Sequence, residues 1–208
     1  MSQQWVSFLG VLLAVGAALY NLISSDWRWR MLALGVQGIG FFLLCFQSLS
    51  LGLSLVKFIE SWTAVAIIGT ALANTARNPA RGRSVERETS GPFHFPFSAR
   101  AFRLAMAALI GIALPQAVWH LMSLFGDLGF FHAIAALALS SISLLILSFR
   151  TSTLSIAIGL LTFFQGFEIL FAAIEPSLML TGLLAAIVLS TAFLCAYFLR
   201  VEEERQAR

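Results

Sequence analysis

The chain has 208 residues, of which 59% are hydrophobic and 11% charged, and its mean hydropathy is +0.89. A soluble domain normally carries about 25% charged residues, so this composition excludes an ordinary soluble enzyme or binding module. The formal net charge is +3, but the arginines are spread over several segments between apolar runs, which argues against a nucleic-acid-binding surface.

Seven runs of roughly 20 apolar residues follow one another, and each is long enough to cross a hydrocarbon core as a helix. Lipid offers no hydrogen-bond partner to an open strand, so the runs predict an all-α polytopic membrane bundle. The predicted helices span residues 5–24, 28–48, 51–75, 100–125, 129–149, 152–174 and 177–199. No positively charged segment precedes the first run, which favours a retained helix over a cleaved signal peptide.

Charge favours seven spans over six. The break at Ser48–Ser50 is weak, and helices two and three can also be read as one. With seven spans, all twelve arginines fall on one face of the membrane: Arg28, Arg30, Arg77, Arg81, Arg83, Arg87, Arg100, Arg103, Arg150, Arg200, Arg205 and Arg208. The other face carries Asp127 and Glu175 and no basic residue. The positive-inside rule then predicts an outside N-terminus and a cytoplasmic C-terminus.

The chain is expected to form one integral membrane domain over residues 1–208. It consists of a three-helix part at 1–76, an Arg-rich cytoplasmic loop at 77–99 and a four-helix part at 100–200. The loop has two interpretations, a linker near anionic headgroups or a docking surface for a soluble partner. Its aromatic and histidine side chains suggest a segment that packs on protein or enters the membrane interface: Phe93, His94, Phe95 and Phe97.

Ionisable residues inside apolar runs indicate a candidate ion path. Lys57, Glu60 and Glu168 lie at bilayer depth, where each charge costs at least about 2.5–3.5 kcal/mol. Lys57 and Glu168 both fall roughly 10 Å from the outer surface. Gln116 and His120, after Pro115 in the fourth helix, fall at a similar level, and Gln165 completes the candidates.

These polar residues have two readings. In the structural reading, Lys57 and Glu60 neutralise each other, while Glu168 pairs with Gln116 or His120. In the functional reading, they form a segment of a proton or ion path, in which a buried group changes its charge as its surroundings change. The residues themselves leave both readings open.

Two histidines flank the turn between the fourth and fifth helices. His120 and His132 are a possible haem or metal pair, although interfacial hydrogen bonding is the favoured interpretation. We expect no cofactor and no metal otherwise. The cysteines, Cys45 and Cys195, are interpreted as packing residues. No phosphate loop, activated nucleophile or metal-ligand cluster is recognisable, so the chain alone is not expected to be an enzyme.

The sixth helix and its entry carry a more specific pattern. Arg150 is followed by Ile158-Gly159-Leu160-Leu161 and then by Phe164-Gln165-Gly166-Phe167-Glu168, and the third helix exits through Ala76-Arg77-Asn78-Pro79. This pattern resembles hydrogenase-4 component E, a membrane subunit of energy-converting hydrogenases and formate hydrogenlyases that is related to the K subunit of respiratory complex I. The layout of seven helices in about 210 residues is similar over the whole chain.

The resemblance implies a multi-pass protein of a bacterial or archaeal inner membrane. Its partners would be antiporter-like membrane subunits and a soluble redox arm with iron–sulfur proteins. The family carries Glu-Asn-Gly where this chain has Phe164-Gln165-Gly166, with Glu168 four residues on. The family's lysine in the third helix falls on Ala64, and Lys57 lies two turns earlier. Either the polar path has moved outward, or the pumping residues are lost.

Three functions follow as hypotheses. The first is a non-catalytic membrane subunit of a complex I-like or hydrogenase-type complex that supports proton or ion translocation. The second is a stand-alone transporter or channel, for which Pro115 offers a broken helix, although the sequence shows no convincing repeat between residues 1–76 and 100–199. The third is a scaffold or assembly protein.

Overall fold

The computed structural model describes residues 2–76, 99–126, 128–150, 152–174 and 177–206. Within these ranges the chain is helical apart from short turns, and it has no strand. The helices are α1 (Ser2–Ile23), α2 (Trp27–Ser48), α3 (Leu51–Ala76), α4 (Ala99–Leu124), α5 (Phe130–Phe149), α6 (Thr153–Ile174) and α7 (Leu178–Gln206). Each of the seven is long and apolar enough to span a bilayer. This confirms the predicted all-α membrane bundle.

Several predicted features lie outside the described residues. They are the loop at 77–98, with Phe93, His94, Phe95 and Phe97, and the acidic turn residues Asp127 and Glu175. The weak break between the second and third helices is confirmed at Leu49, whose backbone is extended with φ −108° and ψ 162°.

The observed helix ends lie within three residues of the predicted ones, except at the end of α7. That helix continues to Gln206, through a charged segment of good helix-forming residues. Hydropathy follows only the part of a helix that lies in lipid, so it could not predict this extension.

Six of the helices form two rows that pack face to face. One row is α1, α2 and α3, and the other is α5, α6 and α7. Across the rows α1 lies against α5, α2 against α6, and α3 against α7, while α4 packs outside the rows on α5 and on the edge of α1. The middle helices α2 and α6 therefore have neighbours on several sides and bury much of their surface.

Hydrogen bonds between the rows show the helix directions. Arg150, directly after α5, donates to the carbonyls of Leu22 and Ser24 at the end of α1, at 3.2 and 2.6 Å. Arg30, in the first turn of α2, donates to Ser155 Oγ near the start of α6 at 3.0 Å. Hence α1 runs parallel to α5, and α2 runs parallel to α6. We call the end of the bundle that holds Arg30 and Arg150 the arginine end.

A glycine allows α1 and α2 to approach closely. A Cβ placed on Gly40 of α2 would lie 2.5 Å from the backbone nitrogen of Ala14 and 2.7 Å from the carbonyl oxygen of Gly10. Both neighbours are backbone atoms of α1, so no side-chain movement relieves the clash. Small residues at such contacts are typical of helix pairs in membranes, where close packing replaces the hydrophobic effect.

The hairpin of α5 and α6 repeats this contact. A Cβ on Gly166 would lie 2.9 Å from Ser140 Oγ and 3.0 Å from the carbonyl oxygen of Ala136. Each of these three positions lies 126 residues after its counterpart in the first hairpin. The two hairpins therefore share a crossing point and a direction, a parallel structural repeat that the sequence itself does not show.

Helix α4 is the least buried of the seven spans. It is continuous through Pro115, so the proline does not break it. Among the described helices its one extensive contact is with α5, which leaves most of its circumference free of the other six helices.

Candidate functional site

A buried lysine in the bundle contacts two carboxylates. Lys57 Nζ on α3 lies 2.6 Å from Glu168 Oε1 on α6 and 2.8 Å from Glu60 Oε2, one turn further along α3. All three side chains are buried: Lys57 is 2% exposed, Glu60 6% and Glu168 4%. Lys57 and Glu168 lie roughly 10 Å from the end of the bundle opposite the arginine end. We call these three residues the ionisable cluster.

The charges of the ionisable cluster do not balance. One ammonium faces two carboxylates, which leaves one excess negative charge when all three groups are ionised. Neither oxygen of Glu60 accepts a hydrogen bond of good geometry within the described chain. A charge at this depth is costly, and a single proton on either carboxylate makes the cluster neutral.

Amide and hydroxyl groups continue from the cluster toward the arginine end. Gln165, one turn before Glu168 on α6, donates to Ser61 Oγ at 2.9 Å and accepts from Gln37 Nε2 at 2.7 Å. Gln37 also donates to Thr162 Oγ1 at 3.2 Å. The ionisable cluster is thus the end of a buried polar network rather than an isolated ion pair.

The polar groups form one stripe on each of the two central helices. On α2, Arg30 and Gln37 are seven residues apart, and on α6, Ser155 and Thr162 have the same spacing. Seven residues are close to two helical turns, so each pair lies on one face. The hydrogen bonds from Arg30 to Ser155 and from Gln37 to Thr162 join the stripes. Together with the cluster they extend over about 20 Å of the bundle.

Two small cavities flank the pair of Lys57 and Glu168, which lines both of them. The cavity toward the arginine end is also lined by Ser61 and Gln165 and has room for about one water molecule. The other cavity extends toward Leu49 and has fewer polar residues in its lining. The ion pair therefore lies between two small cavities, of which the one toward the arginine end has more polar side chains.

Four of the predicted ion-path residues come together in the structure. They are Lys57, Glu60, Gln165 and Glu168, all of which line the cavity toward the arginine end. Glu168 pairs with Lys57, and not with Gln116 or His120 as the structural reading expected.

Gln116 and His120 lie apart from the ionisable cluster. Both are exposed on α4, and Gln116 Nε2 lies 3.4 Å from His120 Nε2. Position along a helix predicts depth and not direction, and α4 is apolar around most of its circumference, so the sequence held no signal for which side faces the bundle.

The two histidines of the possible haem or metal pair have different neighbours. His132 is buried, and its Nε2 lies 3.1 Å from Ser48 Oγ and 3.1 Å from the carbonyl oxygen of Leu44 on α2. His120 is exposed beside Gln116. Nowhere in the described ranges do three His, Cys, Asp or Glu side chains come together as metal ligands.

Sequence reasoning missed Gln37, Ser61 and Thr162, because each is a single uncharged polar residue within an apolar helix. One signal was present for Gln37, which lies seven residues after Arg30 and thus on the same face of α2. Ser61, four residues after Lys57, lies on one face of α3 with that lysine in the same way.

The geometry defines a seven-helix membrane protein with a protonatable cluster at the interface of its two helical rows. No family model matches the chain, no curated protein is detectably similar to it, and no solved structure matches it.

Proposed function

We propose that the chain is a membrane subunit of a multisubunit, complex I-like or hydrogenase-type energy-converting complex, and that it contributes a proton-binding site to the ion path. The observation that carries this proposal is the sharing of Lys57 between Glu168 and Glu60 at 2.6 and 2.8 Å. Because the cluster is neutral only with a proton bound, it combines charge balance with the capacity to exchange that proton.

The proton exchange needs only small movements. When Lys57 pairs more tightly with Glu168, Glu60 is the carboxylate that holds the proton, and the reverse pairing transfers this role to Glu168. Gln165 and Ser61 lie beside the cluster and form the start of a hydrogen-bonded line toward Gln37. Protons would exchange with the arginine end along this line and the cavity beside it.

The distribution of arginines indicates which end of the bundle faces the cytoplasm. Arg30, Arg103 and Arg150 belong to the face that the arginine count assigns to the cytoplasm. The polar line would then open toward the cytoplasm, and the ionisable cluster would lie in the outer half of the membrane. A soluble redox arm would dock on the cytoplasmic face, in a bacterial or archaeal inner membrane.

The departures from hydrogenase-4 component E support a path that has moved outward. Ala64, where the family has a lysine, lines the same cavity as Lys57 and Glu168. Gln165 lies in the place of the family's Glu-Asn-Gly and belongs to the polar network. The acidic and basic groups are thus displaced by one or two turns, and the polar network remains continuous.

Membership of a complex is supported by α4. Its exposed face carries Gln116 and His120, and polar side chains inside a span normally face protein or water rather than lipid. We propose that a transmembrane helix of an antiporter-like subunit covers this face.

The test is gentle-detergent purification of the full chain from its native membrane, followed by mass spectrometry of the proteins that accompany it. The proposal expects antiporter-like and iron–sulfur proteins at constant stoichiometry. In the purified complex, Glu168→Gln should abolish proton movement while electron transfer continues, whereas Ile59→Met on the exposed side of α3 should affect neither. A chain that always purifies alone would overturn the proposal.

A stand-alone transporter is the second candidate, because the whole cluster and both cavities lie within one chain. The parallel repeat of the two hairpins is also a feature of some transporter folds. Proton or ion uptake by liposomes that contain only this chain, lost in Glu168→Gln, would favour this candidate over the complex subunit. A scaffold role would leave both activities at background in every variant.

A further inference from the structure

The arginine end holds guanidinium groups without enough acceptors. Arg30 is fully buried and Arg150 is 5% exposed. Arg30 uses Nη1 to bond Ser155, but within the described residues its Nε and Nη2 have no hydrogen-bond partner, and neither do Nε and Nη1 of Arg150. Buried donors of this kind are strongly disfavoured unless an acceptor is supplied.

The surroundings add positive charge. Arg103 of α4 is close enough to both Arg30 and Arg150 to interact with them electrostatically. The starts of α2 and α6 meet the ends of α1 and α5 here, so their helix dipoles largely offset one another and the excess positive charge comes from the arginines. No Asp or Glu in the part of the chain that the structure describes makes an ion pair with Arg30 or Arg150.

A further buried polar side chain lies at this end of the bundle, in the last turn of α1. Asn21 precedes Leu22, whose carbonyl accepts from Arg150; it is fully buried, and neither its amide oxygen nor its nitrogen has a hydrogen-bond partner among the described residues. Asn21, Arg30 and Arg150 supply six of the nine buried side-chain atoms without a partner in the described ranges. The unmet hydrogen bonds thus concentrate in one region at the edge of the membrane.

Arg150 remains a cation under ordinary conditions. Burial, followed by the nearby charge of Arg103, lowers the pKa of the Arg150 guanidinium to about 10. A lowered pKa means that folding disfavours the charged form, but at neutral pH the group is still protonated. An anion at this site would offset that cost.

We propose that Arg30 and Arg150, with Arg103 and Asn21 beside them, bind the phosphate group of an anionic membrane phospholipid at the arginine end. The headgroup would enter along the seam between α1 and α4, where the two helices make few contacts.

Phosphate fits this site better than a carboxylate does. Its oxygens can accept from two guanidinium groups at once, and the planar fork of arginine matches that geometry. The position, at one end of an apolar bundle, is where headgroups lie, and basic pockets between helices on the cytoplasmic side are typical of anionic-lipid sites. The inference does not depend on the proposed proton site.

The experiment uses the full chain, purified and stripped of lipid in neutral detergent. Thermal unfolding is followed with phosphatidylglycerol, with phosphatidylcholine and with inorganic phosphate, for the wild type, Arg150→Gln, Arg30→Gln and Arg28→Gln. Arg28 is the matched control, since it is an exposed arginine at the same end. Native mass spectrometry of the wild type, purified without the stripping step, counts retained lipid and stays informative if a variant fails to fold.

We expect phosphatidylglycerol, unlike phosphatidylcholine, to raise the Tm of the wild type by about 5 °C or more. Arg150→Gln or Arg30→Gln should lose at least half of this increment, Arg28→Gln should keep it, and the wild type should retain an anionic lipid in the mass spectrum.

Three results would overturn the proposal. An equal increment with inorganic phosphate would make a free anion the ligand. Equal rises in Tm in all variants, together with no retained lipid in the mass spectrum, would show that these arginines do not bind a lipid. A wild type whose Tm does not change with any lipid would also count against the proposal. If replacement of Glu202, Glu203 and Glu204 by glutamine then lowers that Tm, the acceptor is the chain's own tail.

Discussion

Lys57 is shared between two acids, so replacing each member of the ionisable cluster has a different consequence. Lys57→Met leaves two buried carboxylates without a cation, and removal of one partner from a buried ion pair costs about 3–5 kcal/mol. We expect the Tm in detergent to fall by about 10 °C. Glu168→Gln leaves one lysine opposite one carboxylate, so the Tm should change by less than about 3 °C.

The double variant Lys57→Met/Glu168→Gln provides the internal check. It leaves Glu60 as a single acid that can be neutral, and should recover part of the stability that Lys57→Met loses. Ile59→Met, an exposed site on the same helix, serves as the control for a change on α3. Equal losses of Tm in Lys57→Met and Glu168→Gln would contradict the shared-lysine arrangement.

At the scale of helices, the crossing of α1 and α2 depends on Gly40. An alanine there places its Cβ against the α1 backbone, so the helices must separate. Overpacking of this kind typically costs about 1–3 kcal/mol. Gly35→Ala on the same helix is the matched control, because a Cβ at Gly35 meets nothing within 4 Å.

Gly35→Ala should be neutral or stabilising by up to about 1 kcal/mol, since alanine is the better helix former. Thermal unfolding of both variants in one detergent makes the comparison. If Gly40→Ala is as stable as Gly35→Ala, the close approach of the hairpin is not required for the fold.

The exposed face of α4 can be tested by making it apolar. The double variant Gln116→Leu/His120→Leu removes the polar pair without touching a packed surface, so the Tm of the isolated chain should not change. Recovery of partner subunits in gentle detergent should drop several-fold, because interhelical hydrogen bonds in membranes contribute about 1 kcal/mol each. Full recovery of the complex would show that α4 faces lipid and not a partner.

At the scale of the whole molecule, the sequence predicted the parts that depend on hydropathy. Seven helices and the break at Leu49 follow from apolar length and from the distribution of arginines. The polar positions Lys57, Glu60 and Glu168 were predicted for the same reason, since a charge within an apolar run is visible without knowledge of the fold.

Contacts between side chains on different helices could not be predicted from hydropathy. Lys57 and Glu168 lie 111 positions apart, and their contact depends on how the two helical rows face each other. The same reason explains why Gln116 and His120 were expected near the cluster: depth follows from position along a helix, but the direction of a face in lipid requires the neighbouring helices. The guanidinium nitrogens of Arg30 and Arg150 that lack a hydrogen-bond partner among the described residues can be identified only when burial and hydrogen bonds are known.

The most direct test of the central claim asks whether the ionisable cluster holds a proton. Infrared spectra of the full chain at neutral pH should contain the carbonyl band of one buried protonated carboxyl group, which shifts in D₂O and disappears from both Glu60→Gln and Glu168→Gln. Subtraction of the variant spectra removes all other acids. A wild type without this band, or a band that survives in both variants, would contradict a cluster that shares one proton.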